Sequence, residues 1–273
     1  TCVITNIGTC HLENLGDRDG VLKAKTEVFD HLKPDATVIL NGDDDKLVTV
    51  KEVQGRRPIY FGLNEEFPLY ADEIESKGLK GIACRIHTPK GTFSVVVPIP
   101  GHHMVYNALA GTAVGLAYGM ELSEIQKGIE SLQSLSGRFH IIENEKYTIV
   151  DDCYNANPVS MKASIDVLAA APGRKIAVLG DMGELGENEQ ELHAMVGEHF
   201  EGKGIDALFA AGALSENLAQ AVGKCSKETE VHYFKTKDEL MEELLPYVKS
   251  GDTVLVKASH FMGFPEVVGQ LTK

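Results

Sequence analysis

What this 273-residue chain lacks narrows its functions first. No apolar run approaches the length needed to cross a bilayer, and no basic-then-apolar signal segment opens it. Basic residues are too few to balance the acidic ones: Lys and Arg number 26 against 40 Asp and Glu, a net charge of −14. A protein that neutralises phosphates without sequence preference needs a basic face, so nucleic-acid binding is not expected. An anionic substrate would meet a repulsive field and need local cations or metal ions. The five cysteines, Cys2, Cys10, Cys84, Cys153 and Cys225, form no C-x-x-C pair. Neither a disulfide framework nor a zinc site is suggested, and small buried residues in a reducing cytoplasm are the expectation. Internal repeats and low-complexity tracts are absent. So is a G-x-x-x-x-G-K-[ST] loop, leaving nothing here to cradle the phosphates of a nucleotide. The chain opens on Thr1 and runs straight into Cys2-Val3-Ile4, which reads as part of a longer polypeptide.

What is there is a mixed α/β pattern. Residues 2–7 read as a strand and 17–32 as a helix with Val21, Leu22, Ala24, Val28, Phe29 and Leu32 roughly on one face. Short strands are predicted at 37–40 and 58–61, and a hairpin at 81–87 and 92–98 around Pro89-Lys90-Gly91. Helices follow at 103–118 and from Ser123, taken as N-cap, to Leu132. From 137 onward the pattern is more regular. Strands at 147–151, 175–180, 206–210, 231–234 and 253–257 alternate with helices at 158–171, 187–201, 214–223, 237–248 and 264–272. That alternation predicts a parallel, doubly wound sheet with ligands at the strand C-terminal edge. The domain boundary falls near 136.

Five segments carry more glycine, asparagine and paired charge than loops need. Thr5 to Glu13 follows a strand and contains His11, a possible metal ligand or base, though a lone histidine is more often structural. Lys23 and Lys25 with Glu27 read, on their own, as a solvated helix face. Gly101 to Gly111 pairs His102 with His103, but adjacent helical residues point to different sides and would not readily chelate one ion. Asn107 heads a helix of small residues. In Ser136 to Pro158, Arg138 can fork two bonds to a phosphate, and Asp151 and Asp152 end a strand where a carboxylate can accept ribose hydroxyls. Pro158 suits a first helical position. Finally, Gly180 to Gly186 and Val256 to His260 follow strands at the same edge, with Lys257 and Ser259 able to bind an anionic group.

In order along almost the whole chain, these runs resemble the Mur ligase family. They are T-N-I-G-x-x-H-L-E at 5–13, G-x-H-x-x-x-N-A-L-A at 101–110, Gly137-Arg138, D-D-x-Y-N-A-N-P at 151–158 and G-D-M-x-E-L-G at 180–186. The resemblance implies that 1–136 is the C-terminal portion of a central ATP-binding domain and 137–273 a Rossmann-like C-terminal ligase domain. It implies a cytoplasmic, monomeric enzyme of peptidoglycan synthesis using ATP and Mg2+. The last two motifs point to the member that joins D-alanyl-D-alanine to UDP-N-acetylmuramoyl-tripeptide through an acyl phosphate. The D-N-P-R run of the diaminopimelate-adding member is absent.

Residue roles follow from the resemblance alone. His11 would help hold magnesium, and Lys25, as a carbamate, would supply oxygen near it, overriding the solvated-face reading. Asn107 would lie near adenine, Arg138 would reach ATP, and Asp152 or Asp151 would hold the ribose. Asn155, Asn157, Lys257 and Ser259 would meet the incoming dipeptide or peptide. The nucleotide would lie between His11 and Lys25 on one side and Arg138 and Asp152 on the other. Departures from the pattern are Met104 for an asparagine, Cys153 for a serine and His260 for an arginine, which a histidine cannot match in donors. Without the phosphate loop, the chain by itself is expected to be inactive. Two alternatives are a folylpolyglutamate synthase-like ligase and a non-catalytic nucleotide- or peptide-binding α/β module.

Overall fold

A computed structural model describes residues 1–9 and 12–273. The chain divides into two compact units, Thr1–Gln133 and Ser134–Lys273.

In the first unit six strands run in spatial order of sequence: β1 (Cys2–Ile4), β2 (Val38–Asn41), β3 (Ile59–Gly62), β4 (Leu69–Ser76), β5 (Ile82–Thr88) and β6 (Gly91–Val97). The first four are parallel, and β4, β5 and β6 are antiparallel. The hairpin forms as predicted, closing at Thr88 and Gly91. β4 escaped the sequence reading because Asp72, Glu73, Glu75 and a register shift at Asp72/Glu75 interrupt its alternation.

The short helix α1 (Leu12–Leu15) escaped the sequence reading too, and other elements differ at their ends. β1 stops at Ile4 because the next carbonyls are taken by side chains instead of a ladder: Asn41 donates to Thr5 O, Lys25 to Asn6 O and Arg18 to Ile7 O. The 17–32 helix is α2 (Arg18–Thr26), capped by Asp17, followed by a 3₁₀ turn at Glu27–His31. Of its supposed apolar face only Val21 is buried, while Val28 is exposed. Helix α3 (His103–Ala117) packs Val105, Ala108, Leu109 and Ala113 against the sheet. Helix α4 (Leu122–Glu130) starts one residue before Ser123, the residue expected to cap it. Glu121 is its N-cap, and the Glu124 carboxylate accepts from the Glu121 N–H in a capping box.

The second unit holds β7 (His140–Glu143), β8 (Thr148–Asp151), β9 (Lys175–Gly180), β10 (Ala207–Ala211), β11 (Glu230–Phe234) and β12 (Thr253–Lys257), ordered β11-β10-β9-β12-β8-β7. All pairs are parallel except β7–β8, and β7 escaped the sequence reading, which expected a parallel sheet beginning at 147. Ile176 and Val178 face a layer containing α8 (Lys237–Tyr247) and α9 (Pro265–Leu271). Their neighbours Ala177 and Leu179 point to the other side, where α5 (Pro158–Ala169), α6 (Glu189–Glu198) and α7 (Ser215–Cys225) pack. Both faces being covered explains the continuous apolar strands, in which Val254, Leu255 and Val256 are all buried. No helix among the described residues is long and apolar enough to cross a membrane.

Candidate active site

In the second unit, the loops after β8, β9, β10 and β12 are tied together at one sheet edge. Asp152 N–H donates to Val256 O, and Ser259 N–H to Asp181 O. Gly183 N–H donates to Ser259 Oγ at 2.8 Å. Ser215 donates to Asp181 Oδ1 from both its N–H and its hydroxyl, each at 2.7 Å. Gly212 must be glycine here: φ is +118° and a Cβ would lie 2.4 Å from the Asp181 carboxyl. The structure thus brings together Arg138, Asp151, Asp152, Asn155, Asn157, Lys257 and Ser259.

Their exposures differ sharply. Asp152 and Lys257 are 6% and 2% exposed and form an ion pair at 2.6 Å. Lys257 Nζ also donates to Asn155 O at 3.0 Å and, more weakly, to Asp152 O at 3.4 Å, which spends all three of its donors inside the protein. Asp152 Oδ2 accepts from Ser164 as well, and Oδ1 from Phe139 N–H, which leaves one lone-pair direction of four. Asp151 has none spare. Its Oδ2 accepts from Gly137 N–H and Ser136, and its Oδ1 from Cys153 N–H and Sγ. Cys153 is therefore more than an apolar filler: burial and the neighbouring carboxylate push its thiol pKa up, and its S–H donates. Cys2, Cys84 and Cys225 are also free thiols.

Asn157 caps α5, its Oδ1 accepting from Ser160 N–H at 2.9 Å, with Pro158 at the first helical position. Asn155 is exposed. Arg138 is exposed too, and its guanidinium carbon sits 4.1 Å from the centre of the Tyr154 ring.

Two buried residues of this edge were not singled out from sequence. His193 is fully buried; its Nε2 accepts from Met182 N–H at 2.9 Å, so Nδ1 carries the proton toward Glu189 O. Burial lowers its pKa. Ser164 braces Asp152 from one turn inside α5. Neither has a local sequence signature, because each acts across elements.

In the first unit, the polar residues also gather at the strand C-terminal ends. Lys25 Nζ, half-buried, donates to Asn6 O at 2.9 Å. Asn107 is exposed in α3, its Nδ2 directed at Met104 Sδ, 3.2 Å away. His11 lies outside the described residues. The run Asn41-Gly42-Asp43-Asp44 after β2 went unremarked in the sequence, although the rule that picked out 5–13 applies to it equally. Asp44 accepts from Ile7 N–H at 2.7 Å, and Asp43 from Leu63 N–H and from the Tyr106 hydroxyl. Burial, with Asp43 alongside, pushes the Tyr106 phenol up to about 12. Among the described residues no three His, Cys, Asp or Glu side chains group to hold a metal.

Residues 1–115 match the family model of the Mur ligase middle domain, and residues 137–260 that of the Mur ligase glutamate ligase domain. The chain belongs to the Mur ligase family. Among its Mur ligase relatives is UDP-N-acetylmuramoyl-tripeptide–D-alanyl-D-alanine ligase of Escherichia coli K12, 33% identical over 98% of this chain and 59% of the relative. A crystal structure of MurF from Acinetobacter baumannii superposes with a TM-score of 0.89 at 31% identity, covering 98% of this chain and 58% of that one. The MurF ligase of Thermotoga maritima, in complex with ADP, superposes at 0.81 with 29% identity, covering 98% and 60%. The chain thus spans about three-fifths of the length of the Mur ligases it matches.

Proposed function

We propose that this chain is the nucleotide-closing and ligase part of an ATP-dependent amide ligase that joins D-alanyl-D-alanine to UDP-N-acetylmuramoyl-tripeptide in the cytoplasm. The observation that carries this reading is the 33% identity to the E. coli enzyme of that name over 98% of the chain. A carboxylate is a poor electrophile until one oxygen becomes a leaving group. ATP supplies that by phosphorylating the tripeptide carboxylate; the dipeptide amine attacks the acyl carbon and phosphate departs. The C-terminal unit runs from about residue 137 and the ATP-binding remnant up to about 136.

Within that reaction, Arg138 is suited to phosphate oxygens because its guanidinium accepts no carboxylate partner among the described residues. Of the two aspartates, Asp152 is the better ribose acceptor, since it retains a lone pair and Asp151 does not. Asn107 lies toward adenine. Asn155 and Asn157 meet the peptide, whereas Lys257 and Ser259 act from behind by holding the 155–157 and 181–183 loops. Magnesium belongs to the same reading, through His11 and a carbamylated Lys25. An ammonium donating to Asn6 O is not a magnesium ligand; as a carbamate the same side chain would offer the ion oxygen.

The test is phosphate release from ATP by the gene product that carries this chain. Release dependent on both UDP-N-acetylmuramoyl-tripeptide and D-alanyl-D-alanine is expected. Stimulation by a γ-glutamyl folate with glutamate, and none by the dipeptide, would overturn the assignment.

A further inference from the structure

Arg138 is an exposed cation at the C-terminal unit's strand-end edge, and its backbone is fixed on both sides. Gly137 N–H donates to Asp151 Oδ2 at 2.8 Å, and Phe139 N–H to Asp152 Oδ1 at 3.1 Å. Tyr154 N–H donates to Gly137 O at 3.0 Å. Gly137 takes φ +77°, and a Cβ there would press on Tyr154 Cβ and N, each 3.2 Å away, so the 137 and 154 backbones touch. Two turns far apart in sequence are thereby locked at one spacing. The Arg138 side chain, by contrast, has no hydrogen bond or ion pair among the described residues. What holds it is the face of Tyr154, a ring left 50% exposed. His260 stands edge-on to the same ring, centroids 6.0 Å apart.

An arginine that must receive an anion faces a conflict. A carboxylate would hold it still but spend its donors, and solvent would leave them free but the chain mobile. A stacked aromatic face resolves this, because cation–π contact uses the flat of the guanidinium and leaves the N–H groups at its rim unspent.

We propose that Tyr154 is a positioning residue that holds Arg138 flat and donor-free for a phosphate-bearing ligand. The proposal rests on the reading that Arg138 meets phosphate. The phenol oxygen plays no part; the ring does.

The experiment is nuclear magnetic resonance of the arginine Nε–Hε and Cδ–Hδ groups in this 273-residue chain, Arg138 being assigned by Arg138→Lys, with inorganic pyrophosphate as probe. In the parent chain and in Tyr154→Phe, the Arg138 protons should be displaced upfield by the ring and should move as pyrophosphate is added. In Tyr154→Leu the upfield displacement should vanish and the apparent Kd for pyrophosphate should rise about threefold, the scale of an exposed cation–π contact. Retained displacement in Tyr154→Leu would overturn the stacking. Equal Kd values in the parent and Tyr154→Leu, with Arg138 responding in both, would overturn the positioning role while sparing Arg138. Arg138 signals that stay displaced but ignore pyrophosphate in every variant would overturn the phosphate reading itself, and with it the purpose assigned to Tyr154. If Tyr154→Leu loses its dispersed spectrum, Tyr154→Phe decides: unchanged upfield displacement and Kd support the ring's role, and loss of either overturns it.

Discussion

At the strand C-terminal edges of the two units, most of the polar residues singled out from the sequence are held in opposite ways. In the C-terminal unit, Asp151, Asp152, Lys257, Ser259, Asp181 and His193 are buried and spend their hydrogen-bonding capacity on one another and on the backbone. In the first unit, Lys25 and Asn107 are partly or fully accessible, each with a single hydrogen-bond partner. Residues that a motif groups together as the site therefore divide into those that build its wall and those that stand before it. Charge type does not tell the two apart. Burial and partner count do.

The largest expected effect sharpens this contrast. Lys257→Met leaves the buried Asp152 carboxylate without its cation and should destabilise the C-terminal unit by about 3–5 kcal/mol, measured by urea unfolding with hydrogen exchange read in α5 and β12. A loss below about 1 kcal/mol would mean that the ion pair is not the clamp it looks. Next is Asn157→Ala, which removes the α5 N-cap and should cost about 1 kcal/mol, seen as faster exchange in the first turn of α5. Acid is gentler. His193 is held below its ordinary pKa by burial, so the unfolded chain binds its proton more readily. By linkage, the stability it contributes is fully present at neutral pH and lost as pH falls below 6.5. His193→Gln should flatten that limb of a stability–pH curve, and an unchanged curve would break the assignment. The smallest effect on folding is expected at Lys25→Ala, within about 0.5 kcal/mol as for an ordinary surface change. If Lys25 nonetheless proves essential for phosphate release by the gene product that carries this chain, and added bicarbonate or formate restores it to the alanine variant, accessibility and function coincide at that edge. No rescue by any small acid would count against the carbamate.

Much of the framework was legible because it rests on local rules. Strand and helix alternation after residue 137 announced the parallel sheet, Asn157-Pro158 announced a helix start, and the hairpin at 82–97 was plain from its turn. Errors arose where tertiary contacts override periodicity. Residues 5–7 look like strand, but their carbonyls go to Asn41, Lys25 and Arg18. Residues 27–32 look like more α-helix, but Glu27–His31 tighten into a 3₁₀ turn that packs Phe29 and Leu32, half-buried, against the core. Ser123 resembles a cap, but the carboxylates at 121 and 124 do the capping.

By itself, the sequence determined which residue types line each strand end, since glycine, asparagine and paired charge are local choices visible at fixed offsets from apolar runs. Only the tertiary structure decided which of them face outward. Lys257 and Arg138 are both cations at one edge of the sheet, but one is surrounded by acceptors from the loop after β8 and the other lies exposed against an aromatic face. A side chain's free donors depend on what lies beside it in space, and spacing along the chain carries no record of that.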